Sequence, residues 1–203
     1  PTDHPKSLRA GFRYRLQQYR RHDIEPDLLQ QGGIEERDDL VTSVMPSLSL
    51  ELRDLPSDPR RGSYHYTSFE FGTTALGGTV DFVKFRLEDS FFIPWPPPTV
   101  LALSSRLGLA APYGVSDALV IEDRFKAGGS TTVRGYKLDK VGPLDAKGNP
   151  LGGDLRILTN LEWRFPLYRW LGGAVFLDAG LVTPSVTDFA WSAFYPGVGG
   201  GLR

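Results

Sequence analysis

The chain alternates between apolar and polar positions in short runs. From Leu155 to Phe165 one parity reads Leu155, Ile157, Thr159, Leu161, Trp163 and Phe165, and the other reads Arg156, Leu158, Asn160, Glu162 and Arg164. Successive strand side chains point to opposite sides of a sheet, so this run predicts a strand with one apolar and one largely polar face. The same split separates Leu101, Leu103, Leu107 and Leu109 from Ala102, Ser104, Arg106 and Gly108, and Leu48, Leu50 and Leu52 from Ser47, Ser49, Glu51 and Arg53. Nearer the start, Phe12, Tyr14 and Leu16 oppose Arg13, Arg15 and Gln17. Eight strands are predicted, over about 8–19, 43–54, 63–74, 79–92, 99–111, 154–166, 173–183 and 192–203, with no helix of ordinary length.

Two all-β architectures accept such strands. A soluble sandwich would press the apolar faces against a second sheet, whereas a membrane barrel would turn them to lipid and line a wet lumen with the polar ones. Arg and Glu recur on the less apolar faces, and a dry core tolerates unpaired charge poorly. A sandwich would have to keep them all on its solvent side. The connections add a second argument. Pro56 to Gly62, Pro94 to Pro98 and Tyr168 to Trp170 are short, while Gly114 to Gly153 is long, which matches short periplasmic turns and a long external loop. Phe91, Phe92, Trp95, Trp163, Phe165, Tyr168 and Trp170 gather near the short turns, as an interfacial girdle would. The pattern favours an antiparallel transmembrane β-barrel sheet of about eight strands with one long external loop, and leaves the soluble sandwich open.

Composition removes other classes. A net charge of -1 over 203 residues gives no bias toward nucleic acid, and the absence of cysteine removes disulfide frameworks and thiolate chemistry. No window approaches the roughly 18 uninterrupted apolar residues of a membrane-crossing helix. The 23 glycines and 16 prolines fall between the alternating runs, as turn punctuation does. His4, His22 and His65 lie far apart and show no metal-ligand spacing. The serine-rich spots near Ser47, Ser104 and Ser130 lack a nucleophile elbow, and Gly128-Gly129-Ser130 lacks the lysine of a phosphate loop. No catalytic set, metal site or cofactor is expected, and the chain reads as a non-enzyme. The charge runs Arg20-Arg21-His22-Asp23 and Glu35-Glu36-Arg37-Asp38-Asp39 read as solvated loop ends.

Loops beyond about 12–15 residues are usually functional or disordered, and this long one interleaves Phe, Val, Tyr and Leu with its glycines, so order is expected. It carries Phe125-x-Ala127-Gly128-Gly129-Ser130-x-x-Val133-Arg134-Gly135-Tyr136, then Gly142-Pro143 and Gly148-Asn149-Pro150-Leu151-Gly152-Gly153. Asn160-x-Glu162-x-Arg164-Phe165-Pro166-Leu167 and Gly172-Gly173-Ala174-Val175-Phe176-Leu177-Asp178-Ala179-Gly180 follow. Together these strings resemble the C-terminal barrel region of the outer-membrane protein assembly factor superfamily, bacterial surface antigen type. That superfamily includes BamA, TamA, the mitochondrial Sam barrel, the chloroplast Toc channel and the two-partner secretion transporters. The likeness is densest from Phe125 to Gly180 and looser around Leu55 to Ser63.

The resemblance implies that the loop folds back into the barrel and that Arg134, with Val133, Gly135 and Tyr136 in its motif, meets Glu162 and Asp178 on the inner wall. Parity allows this, because Glu162 lies on the polar face of its strand and Asp178 shares a face with Ala174, Phe176 and Gly180. A carboxylate facing lipid would cost several kcal/mol. Gly128 and Gly129 are expected to shape the loop, and Gly135 to let the backbone approach the wall closely. The resemblance alone implies that the long loop is lumenal and the sheet incomplete, with 1–203 corresponding to about the seventh to fourteenth strands of a sixteen-strand barrel, without POTRA repeats or terminal strands. The implied location is a Gram-negative or organellar outer membrane. The implied partners are the lipid bilayer, unfolded outer-membrane client polypeptides that pair with an exposed strand edge, and periplasmic or outer-membrane accessory proteins. Two rivals remain at this stage: a two-partner secretion pore, and a soluble all-β binding domain.

Overall fold

A computed structural model describes residues 6–20 and 38–203 of the chain. Within them eight strands follow one another: β1 (Ser7–Arg20), β2 (Asp38–Glu51), β3 (Gly62–Gly72), β4 (Phe82–Pro94), β5 (Val100–Pro112), β6 (Leu155–Tyr168), β7 (Leu171–Thr183) and β8 (Tyr195–Leu202). They form one antiparallel sheet in sequence order, each strand bonded to the next. The sheet is an open meander, and no α-helix occurs among the described residues.

Register joins the parities into two continuous faces. One row of partners runs Glu88, Arg106, Leu158 and Gly180, and another runs Ser104, Asn160, Asp178 and Gly197. This inner face also carries Arg15, Ser43, Glu70, Lys84 and Arg86. The opposite face presents Leu8, Phe12, Leu16, Leu48, Phe69, Phe71, Phe91, Leu103, Trp163, Val175, Leu177 and Val198, all exposed. No second layer of described residues covers it. The core lies on the inner face instead, where the long loop between β5 and β6 returns over the sheet. Val41, Val80, Phe82 and Ala110 pack with Leu119, Val120 and Phe125 of the loop, while Leu158 and Val182 pack with its Ala127, Val133 and Val141.

The strand boundaries differ from expectation mainly at β2. Asp38 and Asp39, read as part of a solvated loop end, belong to the strand, and Asp39 is only 1% exposed. The reason is the segment 73–81, which folds back along the start of β2. Thr79 N–H donates to the Leu40 carbonyl at 2.8 Å, Leu40 N–H donates to the Thr79 hydroxyl at 2.9 Å, and that hydroxyl reaches Asp39 at 3.4 Å. Partners supplied by a later loop turn a charge run into a strand. Arg20 closes β1 and is exposed as expected. Arg21, His22, Asp23, Glu35, Glu36, Arg37 and His4 lie outside the described residues. Residues Thr74–Leu76, Val186–Asp188 and Trp191–Ala193 form short 3-10 turns, so β3 ends and β8 begins a little inside the predicted spans.

Candidate functional site

The long loop is clasped to the wall by Arg134. Its Nε and one terminal nitrogen donate to the two oxygens of Asp178 at 2.8 Å each, and the other terminal nitrogen donates to Glu162 at 2.7 Å. The Arg134 backbone N–H also donates to Asp178, at 2.9 Å. Glu162 and Asp178 stand diagonally on β6 and β7, because Glu162 is paired with Phe176 and Asn160 with Asp178. The guanidinium therefore spans Phe176, lying 3.4 Å from its ring centre, and bridges both carboxylates. Planar donors in a fixed fork suit this geometry, and the ring face is a favourable bed for a cation.

Asp178 is saturated. Asn160 donates to Asp178 at 2.9 Å and to the Thr132 carbonyl at 2.7 Å, so Asp178 accepts four hydrogen bonds, about the capacity of a carboxylate. Arg164 donates to Glu162 at 2.7 Å, so two cations face two anions. Asp178 is fully buried, and burial of a charge is tolerable only with such complete pairing. Hydrogen bonding to Asp178, opposed by partial burial, holds the Arg134 guanidinium above its already high ordinary pKa. The guanidinium of the clasp thus stays charged.

Shape fixes the rest of the loop. Val133 is fully buried, and a Cβ added at Gly180 would run into its methyl group. A Cβ added at Gly197 would run into the Arg134 carbonyl oxygen. Close approach is therefore provided by two wall glycines. Gly135, expected to serve that purpose, has nothing within 4 Å of where its Cβ would sit; its φ of 93° is what requires glycine. Gly128 combines φ 113° with a Cβ position blocked by the Lys137 carbonyl, and Gly129 has φ 97°. Tyr136 donates to the Pro196 carbonyl at 3.0 Å and meets Tyr195 edge-on. Further along, Asp145 closes a tight turn. Burial pushes its carboxyl up, but donors from Asn149 and Lys147 outweigh this and hold it below the usual range.

A returning loop, a buried aspartate and an uncovered apolar face form one arrangement, and comparison with known proteins gives the chain its family. The model of the Omp85 superfamily domain matches residues 1–203. The chain belongs to the Omp85 superfamily. It is 30% identical over 185 residues to the outer membrane protein assembly factor BamA of Nitratidesulfovibrio vulgaris, covering 90% of this chain and 23% of that protein. It is 31% identical over 128 residues to the mouse sorting and assembly machinery component 50 homolog, covering 63% of this chain and 27% of the relative. The chain thus spans about a quarter of the length of these curated relatives. Among solved structures, BamA of Haemophilus ducreyi lacking POTRA domains 1–3 superposes with a TM-score of 0.77 at 17% identity, over 97% of this chain and 44% of that one. That likeness concerns the fold.

A second anchor in this Omp85 chain was missed by sequence reasoning. Asp123, in the loop turn Ile121–Asp123, accepts from Arg15 of β1 at 2.7 and 3.1 Å and takes Lys84 of β4 on its backbone carbonyl. Arg15 also pairs with Glu70 at 2.8 Å, and Glu70 faces Arg86 at 3.5 Å. The Phe125 ring lies within 5.1–5.8 Å of Lys84, Arg86 and Arg156, on the spot left open by Gly108. Asp123→Ala should cost roughly 1–3 kcal/mol, because the buried Lys84 loses its facing carboxylate. Hydrogen exchange should then rise over 119–125 while 131–136 stays protected.

Proposed function

We propose that the parent protein assembles β-barrel proteins into the outer membrane, and that this chain supplies eight consecutive wall strands together with the pinned lumenal loop. The chain is an outer-membrane barrel segment of the Omp85 superfamily. The observation that carries the assembly reading is the division of labour between its faces. The outward side is apolar and uncovered, whereas the inward side is charged and occupied by a loop clasped at Arg134. The names of its relatives support the same reading, since one is an outer-membrane assembly factor and others are sorting and assembly components. Clients in this reading are unfolded outer-membrane polypeptides, whose strands pair with a barrel edge by β-augmentation. The eight strands would correspond to about the seventh to fourteenth of sixteen, and none of the steps requires covalent chemistry.

The decisive experiment is conditional depletion of the full-length protein in the organism that carries it. Outer-membrane barrel content should fall within a few generations while unfolded clients collect in the periplasm. Normal barrel content together with loss of one secreted polypeptide would instead identify a two-partner secretion pore.

A further inference from the structure

Among the described residues, the middle of the lipid-directed face carries an ionisable pair, His65 and Asp89, in one row. Register places His65, Asp89, Ser105 and Thr159 side by side across β3 to β6, directed outward. The flanking rows are Thr67, Leu87, Leu107 and Ile157 on one side and Ser63, Phe91, Leu103 and Leu161 on the other. Ionisable groups facing acyl chains are expensive, and where they persist a function is the default expectation. Neutralising the pair would need only His65 and Asp89. The arrangement goes further.

His65 Nδ1 lies 2.6 Å from Asp89, and its Nε2 lies 2.9 Å from the Ser63 hydroxyl. Both ring nitrogens are thus engaged, one by a carboxylate and one by an alcohol. With Nδ1–H donating to Asp89, Nε2 carries the lone pair and accepts from Ser63; this tautomer is assigned from the partners. An oriented imidazole with a hydroxyl on its free nitrogen is the nucleophile, base and orienter constellation, which is defined by geometry and roles and not by sequence order. The Phe91 ring stands edge-on to His65 at 5.3 Å and walls one side. His65 and Asp89 keep about a third and a quarter of their side-chain surface open, so the site faces outward and is reachable.

Depth selects the substrate. Ser63 is the second residue of β3, next to the short connection 52–61. At the same end of the sheet the exposed Trp95, Trp163, Tyr168 and Trp170 form the aromatic girdle, whose rings sit at headgroup level. On the neighbouring strand Phe91 is the register partner of Ser63, and Trp95 follows the end of β4 toward the same edge of the membrane, so Ser63 sits inward of that ring. Just below the headgroups is where the ester bonds join acyl chains to glycerol.

We propose that Ser63, His65 and Asp89 form a lipid-facing hydrolytic site that cleaves acyl esters of membrane glycerolipids. Ser63 Oγ attacks the ester carbonyl carbon and passes its proton to His65 Nε2, while Asp89 holds the ring and balances the imidazolium. The bond to the glycerol oxygen breaks, and that oxygen leaves with the proton from His65. Water then attacks the acyl-Ser63 ester, giving one proton to His65, which returns it to Ser63 Oγ as the fatty acid departs. One water is consumed, one fatty acid and one lysolipid are formed, and no redox partner is needed. The site depends only on the register of β3 and β4 and on their outward face, so it stands or falls separately from the assembly reading.

The test uses the full-length protein purified in detergent, with mixed micelles of phosphatidylethanolamine and phosphatidylglycerol as substrate and a fluorophosphonate as active-site label. The label should add to the Ser63 peptide by mass spectrometry, and fatty-acid release should fall about 100-fold in Ser63→Ala and in His65→Ala, the scale of general acid–base assistance. Ser63→Ala removes no charge, so it remains a valid comparison even if His65→Ala fails to fold. Absence of the adduct, or fatty-acid release that persists undiminished in Ser63→Ala, would overturn the proposal.

Discussion

Arg134→Ala should free the long loop while leaving the sheet standing. The substitution removes every side-chain donor that Arg134 gives to Glu162 and Asp178 and leaves Asp178, which has no exposed surface, with only Asn160 and one backbone N–H. Breaking a buried pair in this way costs about 3–5 kcal/mol, because the remaining carboxylate is uncompensated. At roughly 1.4 kcal/mol per tenfold, the undocked loop gains a hundredfold or more in population. The eight-strand ladder does not pass through Arg134, so the loss is local. Limited proteolysis of the full-length protein in detergent should cut within 125–136, and hydrogen exchange should rise there and not in β6 or β7. Client assembly should fall in step with loop protection. Unchanged protection would mean that shape alone holds the loop. Arg134→Lys should behave nearly as badly, since a point charge cannot bridge two diagonal carboxylates across Phe176. In an Arg134→Ala, Asp178→Asn double variant the effects should be less than additive, because the two residues share one network.

The strands of this sheet were largely legible in the sequence, for a physical reason. Each spans an apolar and an aqueous environment, so parity alone assigns every residue to a side, and Leu155 to Phe165 declares both sides without ambiguity. Parity also directs Glu162 and Asp178 inward, while their meeting with Arg134 was implied by a resemblance in motif and is present in the geometry. Asn160 lies on the same parity as Glu162 and could have been named from that alone.

What parity cannot supply is register, the pairing of positions on different strands. Arg15, Glu70, Lys84 and Asp123 lie on three strands and a loop, and they become neighbours only once β1 to β4 are aligned. The same limit hid the outward trio. Ser63 and His65 are two apart and necessarily share a face, but Asp89 joins them only through the pairing of His65 with Asp89. Asp39 was misread for the opposite reason, since a charge run looks solvated until a distant segment such as 73–81 supplies its partners. Glycines were the least legible residues. A glycine in a strand advertises space without naming the atom that fills it.

Gly197→Ala tests that last point with no change of charge. Gly197, Gly199 and Gly201 all face inward on β8, which makes its inner surface nearly flat. At Gly197 the added methyl would meet the Arg134 carbonyl oxygen, a backbone atom with no freedom to swing aside, whereas at Gly201 it would meet nothing within 4 Å. The two substitutions are therefore chemically identical and sterically opposite. Overpacking of this kind typically costs about 1–3 kcal/mol, and here it must be taken up either by β8 bending outward or by the loop lifting. β8 is held to β7 by a continuous ladder from Gly173 to Gly180, whereas the loop at this point is held by separate contacts, the Arg134 clasp, Asn160 on the Thr132 carbonyl and Tyr136 on the Pro196 carbonyl, so the loop should yield. Exchange and proteolysis over 131–136 should rise in Gly197→Ala and stay at the wild-type level in Gly201→Ala. Equal behaviour of the two variants would show that the loop does not rest on β8. If the clasp and this contact act on one docking equilibrium, Gly197→Ala should impair client assembly in proportion to its loop exposure, on the same line as Arg134→Ala, even though every charged group is intact.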